Sequence, residues 1–257
     1  MDYEQFKKQV YTLTKIDLNM YKEKQMKRRI DSLIAKNKID GYKDYVDAIK
    51  KDSKLFEEFV NYLTINVSEF WRNPEQWKVL EEHVVPELIK MSGKNLKVWS
   101  AACSTGDEPY SLVMLLSKFV PLSNIKILAT DIDKQVLEKA RVGLYNEKSI
   151  AGLPEEFKKK YFTPVGKSNY QINDEIKKCV EFKVGNLLSD KYPTGMDLIV
   201  CRNVVIYFTD EAKTEIYKKF NESLKTGAYL FVGSTEQIIN YKDLNYTSFK
   251  SFFYKKN

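Results

Sequence analysis

Apolar residues recur at helical spacing from the start of the chain to about residue 65. Phe6, Val10 and Leu13 form one set, Met26, Ile30, Leu33 and Ile34 a second, and Phe56, Phe59, Val60 and Leu63 a third. Each repeats at the steps that put side chains on one face of an amphipathic helix. Asn37, Asp40-Gly41 and Asp52-Ser53 supply the breaks between them, with Ser53 the expected N-cap of the last helix. No β-rich run occurs before residue 95. The pattern predicts an all-helical domain of four short helices over residues 1–64.

A linker over residues 65–76 follows and ends in Asn73-Pro74-Glu75-Gln76. An Asn cap, a Pro at the first helical position and Gln three residues after the cap predict a helix start. Trp77, Leu80, Val84 and Leu88 lie on one face of that helix, and Pro86 is expected to kink or break it. The pattern then alternates. Strands are expected at 96–99, 125–129, 180–184, 197–201 and 229–232, with helices at 109–119, 134–142 and 210–224 between them. Such alternation predicts a doubly wound, mostly parallel α/β sheet of Rossmann type over residues 77–257. Phe252 to Tyr254 would add an edge strand at the C-terminus. Residues 143–179 interrupt the alternation with Gly152, Pro154, Pro164, Gly166 and the short alternating piece Asn169 to Ile172, so an inserted subdomain with a small antiparallel element is expected there.

Composition narrows the chemistry. Of 257 residues, 43% are hydrophobic and 13% aromatic, enough to build a core and exclude global disorder. No apolar run approaches the roughly 18 to 20 residues that a membrane span needs, and the N-terminus carries no apolar signal core. Cys103, Cys179 and Cys201 are widely spaced, without the pairs that suggest zinc or a disulfide. A soluble, cytoplasmic protein without a metal site is expected. The one histidine, His83, sits in a helical segment beside Val84 and Val85, where a packed or surface role is expected over a catalytic one. Cys103 and Cys201 lie near the expected ligand cleft, but no neighbour in the sequence would lower a thiol pKa. A net charge of +7 fits nucleic acid, a membrane surface, an acidic protein or simple solubility equally well.

In a doubly wound sheet, ligands bind at the carboxyl ends of the strands. The first strand ends in the small-residue run Ser100 to Gly106, which leads through Asp107 and Glu108 into a helix with Pro109 near its start. With Gly106 the only glycine, this is no pyrophosphate cradle. A ligand loop with free helix amides and a plain tight turn are both open readings of it. The second strand ends at Asp131, where a carboxylate can hold the hydroxyl pair of a ribose; Asp133 is expected to cap the next helix instead. Small residues, acids and a ribose-binding Asp suit a nucleoside without a phosphate chain, of which S-adenosylmethionine is a common example. Its amino group would take an acid such as Glu108.

The strings VWSAACSTGDEPYS (98–111), ATDID (129–133) and CRNVVIYF (201–208) resemble those of the CheR family. These are S-adenosylmethionine-dependent enzymes that convert glutamates of bacterial chemotaxis receptors to 5-O-methyl esters, with S-adenosylhomocysteine as product and no metal. The likeness covers nearly the whole chain. It departs at Asp107, where the family often has Glu, and at Ser68, where Thr is more frequent.

The resemblance implies cofactor contacts from Asn66, Ser68 and Arg72 in the linker and from Glu108 and Asp131. It implies that Asn186 and Leu187 border the adenine, and that Asn203 and Val204 line the cofactor. Arg72 and Tyr207 are the implied catalytic pair. Taken alone, Asn186 reads rather as a turn residue and Arg72 as a surface ion pair, and Tyr207 reads equally as a wall aromatic. The helical domain would recognise the cytoplasmic helical domain of a receptor through Lys24, Lys27 and Arg28, which share a stripe opposite Met26, Ile30 and Leu33; a solvated face is the alternative. Some family members tether to a receptor's C-terminal pentapeptide through a Gly-Gly pair in the inserted subdomain. Residues 164–170 here read PVGKSNY, without that pair, so tethering is not expected. Two other classes fit the sequence less well. A nucleic-acid methyltransferase would carry an Asn-Pro-Pro-Tyr-like loop where this chain has Arg202 to Ile206, and a degenerate cofactor sensor would not keep so many polar site residues.

Overall fold

The computed structural model describes residues 1–257. It divides into two compact units, Met1–Asn66 with Tyr207–Thr214, and Val67–Ile206 with Glu215–Asn257. No helix is long and apolar enough to cross a membrane.

The first unit is built on helices α1 (Tyr3–Thr14), α2 (Glu23–Lys36), α3 (Gly41–Lys51) and α4 (Ser53–Thr64). Asp2 and Gln5 close a reciprocal capping box at the start of α1. Asp52, not Ser53, caps α4: its Oδ1 accepts the amides of Lys54 at 2.8 Å and Leu55 at 3.3 Å. The carboxylate one residue earlier is the better acceptor for amides at the positive end of the helix. Phe6, Val10, Met26, Ile30, Leu33, Ile34, Tyr45, Phe59 and Leu63 are buried, and the Phe59 ring meets Tyr45 edge-on at 5.6 Å. Residues 207–214, read from the sequence as part of the α/β domain, group with these helices. Backbone bonds hold them there, Lys22 N–H to the Tyr207 carbonyl and Thr209 N–H to the Met20 carbonyl, each 2.9 Å, and side-chain periodicity does not report such bonds.

The second unit is a seven-stranded sheet of β1 (Lys97–Ala101), β2 (Lys126–Asp131), β6 (Val180–Val184), β7 (Met196–Cys201), β8 (Leu224–Val232), β9 (Tyr246–Lys250) and β10 (Phe253–Lys256), in the order β6-β2-β1-β7-β8-β10-β9. The first five strands in that order pair in parallel, with Val98 opposite Ile127 on one side and Leu198 on the other. β7 is buried at every position, as a central parallel strand must be. β10 is antiparallel to both its neighbours. The expected C-terminal edge strand therefore lies inside the sheet, and β9 takes the edge.

The helix starting at Pro74 continues through Pro86. Helix α5 (Pro74–Val79) passes through a π turn at Leu80–Val84 into α6 (Val85–Ser92). Proline lacks an N–H and its ring crowds the carbonyl four residues back; a wider turn just before it relieves both problems without a break. His83 is exposed in that turn. The remaining helices of this part are α7 (Asp107–Leu116) and α8 (Lys134–Val142). Residues 143–179 hold β3 (Leu144–Asn146), β4 (Phe162–Val165) and β5 (Asn169–Ile172), an antiparallel sheet with β5 in the middle, and the short helices α9 (Glu147–Ile150), α10 (Glu155–Tyr161) and α11 (Asp174–Lys177). The final helix is α12 (Asp210–Ser223).

Candidate active site

From β1 the chain runs to β2 on one side, and β7 returns to the other side of β1. The carboxyl ends of these strands are the switch point of the sheet, where α/β folds bind ligands. The loop from β1 to α7 is tightly wound: Ala102, Ser104 and Gly106 have φ of 65°, 49° and 89°. At Gly106 a Cβ would lie 2.9 Å from the Ala140 Cβ, so the small residues here serve the turn as well as any ligand.

Asp131 ends β2 nearly buried. Its Oδ2 accepts the Ser104 amide at 2.8 Å and its Oδ1 the Asp133 amide at 3.0 Å. Burial pushes its carboxyl up to about 6 against the opposing pull of these amides. Asp133 caps α8 by accepting the Gln135 amide at 2.8 Å, as expected. Glu108 Oε1 accepts the Ser100 hydroxyl at 2.8 Å. Burial raises the Glu108 pKa, and the Arg202 guanidinium, 3.7 Å from Oε2, opposes that rise.

Arg202, to which no local pattern in the sequence assigns a role, is the centre of the site. Its Nη2 lies within bonding distance of the Arg72 carbonyl (2.7 Å), Gln76 Oε1 (2.9 Å) and Asn73 Oδ1 (3.0 Å), and the guanidinium covers the Phe231 ring at 4.7 Å. Asn73 and Gln76, expected to cap α5, make no such cap; their oxygens face Arg202 instead. A buried Arg at the end of a strand was the one available signal, since a charge there needs partners from elsewhere.

Ser68, Arg72, Glu108 and Asn203, four of the expected cofactor residues, line one cleft of about 40 Å³ with Glu69, Arg202 and residues 102–104. Asn186 and Leu187 line a separate cleft of about 330 Å³, beside Trp99 and Tyr192. Val204 presents its amide to Glu236 at 2.8 Å. Asn66 and Tyr207 belong to the helical unit, where Asn66 Nδ2 donates to Thr64 Oγ1 at 2.9 Å. Lys27, the middle of the expected basic stripe, is bonded to Asp31 at 2.8 Å, while Lys24 and Arg28 are exposed. Burial raises the thiols of Cys103 and Cys201 well above the usual range, which makes both poor nucleophiles.

The residues present fit S-adenosylmethionine. Around the cleft, Ser104 Oγ, Asp107 Oδ1 and Arg202 Nε are buried without a hydrogen-bond partner, a cost normally met by a ligand or water. Acids and guanidinium groups side by side suit the zwitterionic end of the cofactor, and Asp131 suits its ribose. A doubly wound sheet with this cleft at its switch point has the architecture of an S-adenosylmethionine-dependent methyltransferase, and the family match establishes that class. Residues 66–253 match the CheR methyltransferase SAM binding domain and residues 1–64 the CheR methyltransferase all-alpha domain. The chain belongs to the CheR methyltransferase family. It is 44% identical over 255 residues to a chemotaxis protein methyltransferase of Listeria innocua, covering 99% of this chain and 97% of the relative. It is 33% identical to a chemotaxis protein methyltransferase of Borreliella burgdorferi over 260 residues (96% and 91%) and to chemotaxis protein methyltransferase 1 of Pseudomonas aeruginosa over 252 residues (94% and 92%).

Proposed function

We propose that this enzyme works in the cytoplasm, where it methylates specific glutamate side chains on chemotaxis receptors to glutamate 5-O-methyl esters and releases S-adenosylhomocysteine. The observation that carries the reading is the single cleft that joins Arg72, Glu108 and Asn203 at the switch point, in a chain whose relatives are named for chemotaxis. S-adenosylmethionine supplies an electrophilic methyl group on a sulfonium. A glutamate side chain, with an ordinary pKa of about 4.3, is already a nucleophile at neutral pH, so no general base is needed. The protein has to align acceptor and donor and exclude water. Glu108 takes the cofactor's amino group, Asp131 the ribose, and Arg72 holds a carboxylate through a forked contact. Ser68, Asn203 and Val204 line the cofactor, and Asn186 and Leu187 border its adenine. Lys24 and Arg28 meet the acidic receptor helix, with Lys27 held back by Asp31.

The test is to incubate the enzyme with methyl-labelled cofactor and receptor cytoplasmic domain, then treat the product with mild alkali. A glutamyl ester releases labelled methanol. Label that survives alkali on receptor would overturn the assignment.

A further inference from the structure

We propose that Glu236 is a positioning residue for the cofactor cleft: its buried carboxylate fixes the backbone of residues 203–205 and thereby sets Asn203 into the cleft wall. The proposal rests on the reading that Asn203 contacts the cofactor. Glu236 follows β8 and is 4% exposed. Its Oε2 accepts the amides of Asn203 at 2.6 Å and Gly233 at 2.8 Å, and its Oε1 those of Val204 and Val205, both at 2.8 Å. One carboxylate thus satisfies four amides from the loops after β7 and β8. Asn203 sits at φ 63°, in the left-handed region that an L residue leaves readily when nothing holds it.

The chemistry requires an ionised acid. A carboxylate offers about four acceptor sites and no donor, whereas a glutamine amide in the same place turns two donors toward amides that are themselves donors. The fit is also tight. A Cβ on Gly233 would stand 2.5 Å from Glu236 Oε2 and 2.9 Å from the Asn203 nitrogen. Gly233 is therefore the only residue type that leaves room for the carboxylate and the Asn203 amide together. A purely structural tie would not need to end on a residue of the cleft, and this one does.

The experiment compares the full-length wild type with Glu236→Gln, Glu236→Asp, Gly233→Ala and Asn203→Ala. Readouts are cofactor titration, steady-state kinetics and amide hydrogen exchange. In Glu236→Gln and Gly233→Ala, the amides of residues 203–205 should exchange faster while those of β7 stay protected. Cofactor affinity should fall about tenfold or more with a smaller change in kcat, the pattern expected when binding geometry rather than chemistry is lost. Glu236→Asp, which keeps the charge but not the reach, should be intermediate. Gly233→Ala keeps the carboxylate, so it tests the idea even if Glu236→Gln fails to fold. Wild-type affinity in folded Glu236→Gln or Gly233→Ala, with Asn203→Ala impaired, overturns the proposal alone. Wild-type affinity in Asn203→Ala overturns the reading beneath it.

Discussion

Asp131 shows how one residue couples cofactor binding to pH. Its carboxyl is raised from 3.8 to about 6 by burial, so the stability it contributes to the unliganded fold is full below 3.8 and lost as pH rises through about 6. A ribose hydroxyl donates more strongly to the ionised form than to the protonated one, so the cofactor lowers this pKa and binds more tightly as pH rises through the same range. Lowering the pH from about 7.5 to about 5 should weaken S-adenosylmethionine binding by roughly tenfold. Asp131→Asn should lose most of that dependence; what remains comes from Glu108, whose carboxyl burial also raises. An unchanged pH slope in Asp131→Asn, read by calorimetric titration, would remove the ribose assignment. The position of Asp131 was legible from its place at a strand end. Arg202 and Glu236 were not, because their partners lie 126 and 33 residues away at Gln76 and Asn203.

At the scale of elements, Arg202 ties the end of β7 to the linker and to the start of α5. Lysine keeps the charge but cannot reach three acceptors and a carboxylate from one planar group. Arg202→Lys should therefore destabilise the protein by about 1 to 3 kcal/mol, the usual cost of leaving buried acceptors unsatisfied. Urea unfolding measures it, and a loss below about 1 kcal/mol would put Arg202 with ordinary surface substitutions. Where the reading of elements failed, local signals met a tertiary partner. Asn73 and Gln76 carry the composition of a cap, but a buried guanidinium competes for the same oxygens. Pro86 breaks an isolated helix, yet here a π turn absorbs it. β9 was not anticipated at all: Tyr246 is its only buried position, so it has no alternating face to read.

For the whole molecule, the net charge of +7 bears on encounter rather than on fold. Exposed Lys24 and Arg28 should speed association with an acidic receptor helix, an effect screened over about 8 Å at physiological salt. Reversing both to Glu should raise the receptor KM and flatten its salt dependence, with cofactor affinity unchanged. Wild-type receptor methylation by the double variant at low salt would move the docking face elsewhere. What the sequence determined by itself was the order of things along the chain: four helices, then strand–helix alternation, an antiparallel insertion, and acids at the strand ends. Those follow from the periods of helix and strand and from the chemistry of loops, which act over a few residues. The tertiary structure alone decided which side chains share a cleft, that Arg202 and Glu236 hold it, that residues 207–214 join the helices, and that β10 lies inside the sheet. Each depends on hydrogen bonds between distant segments, and burial, not local spacing, makes such bonds obligatory.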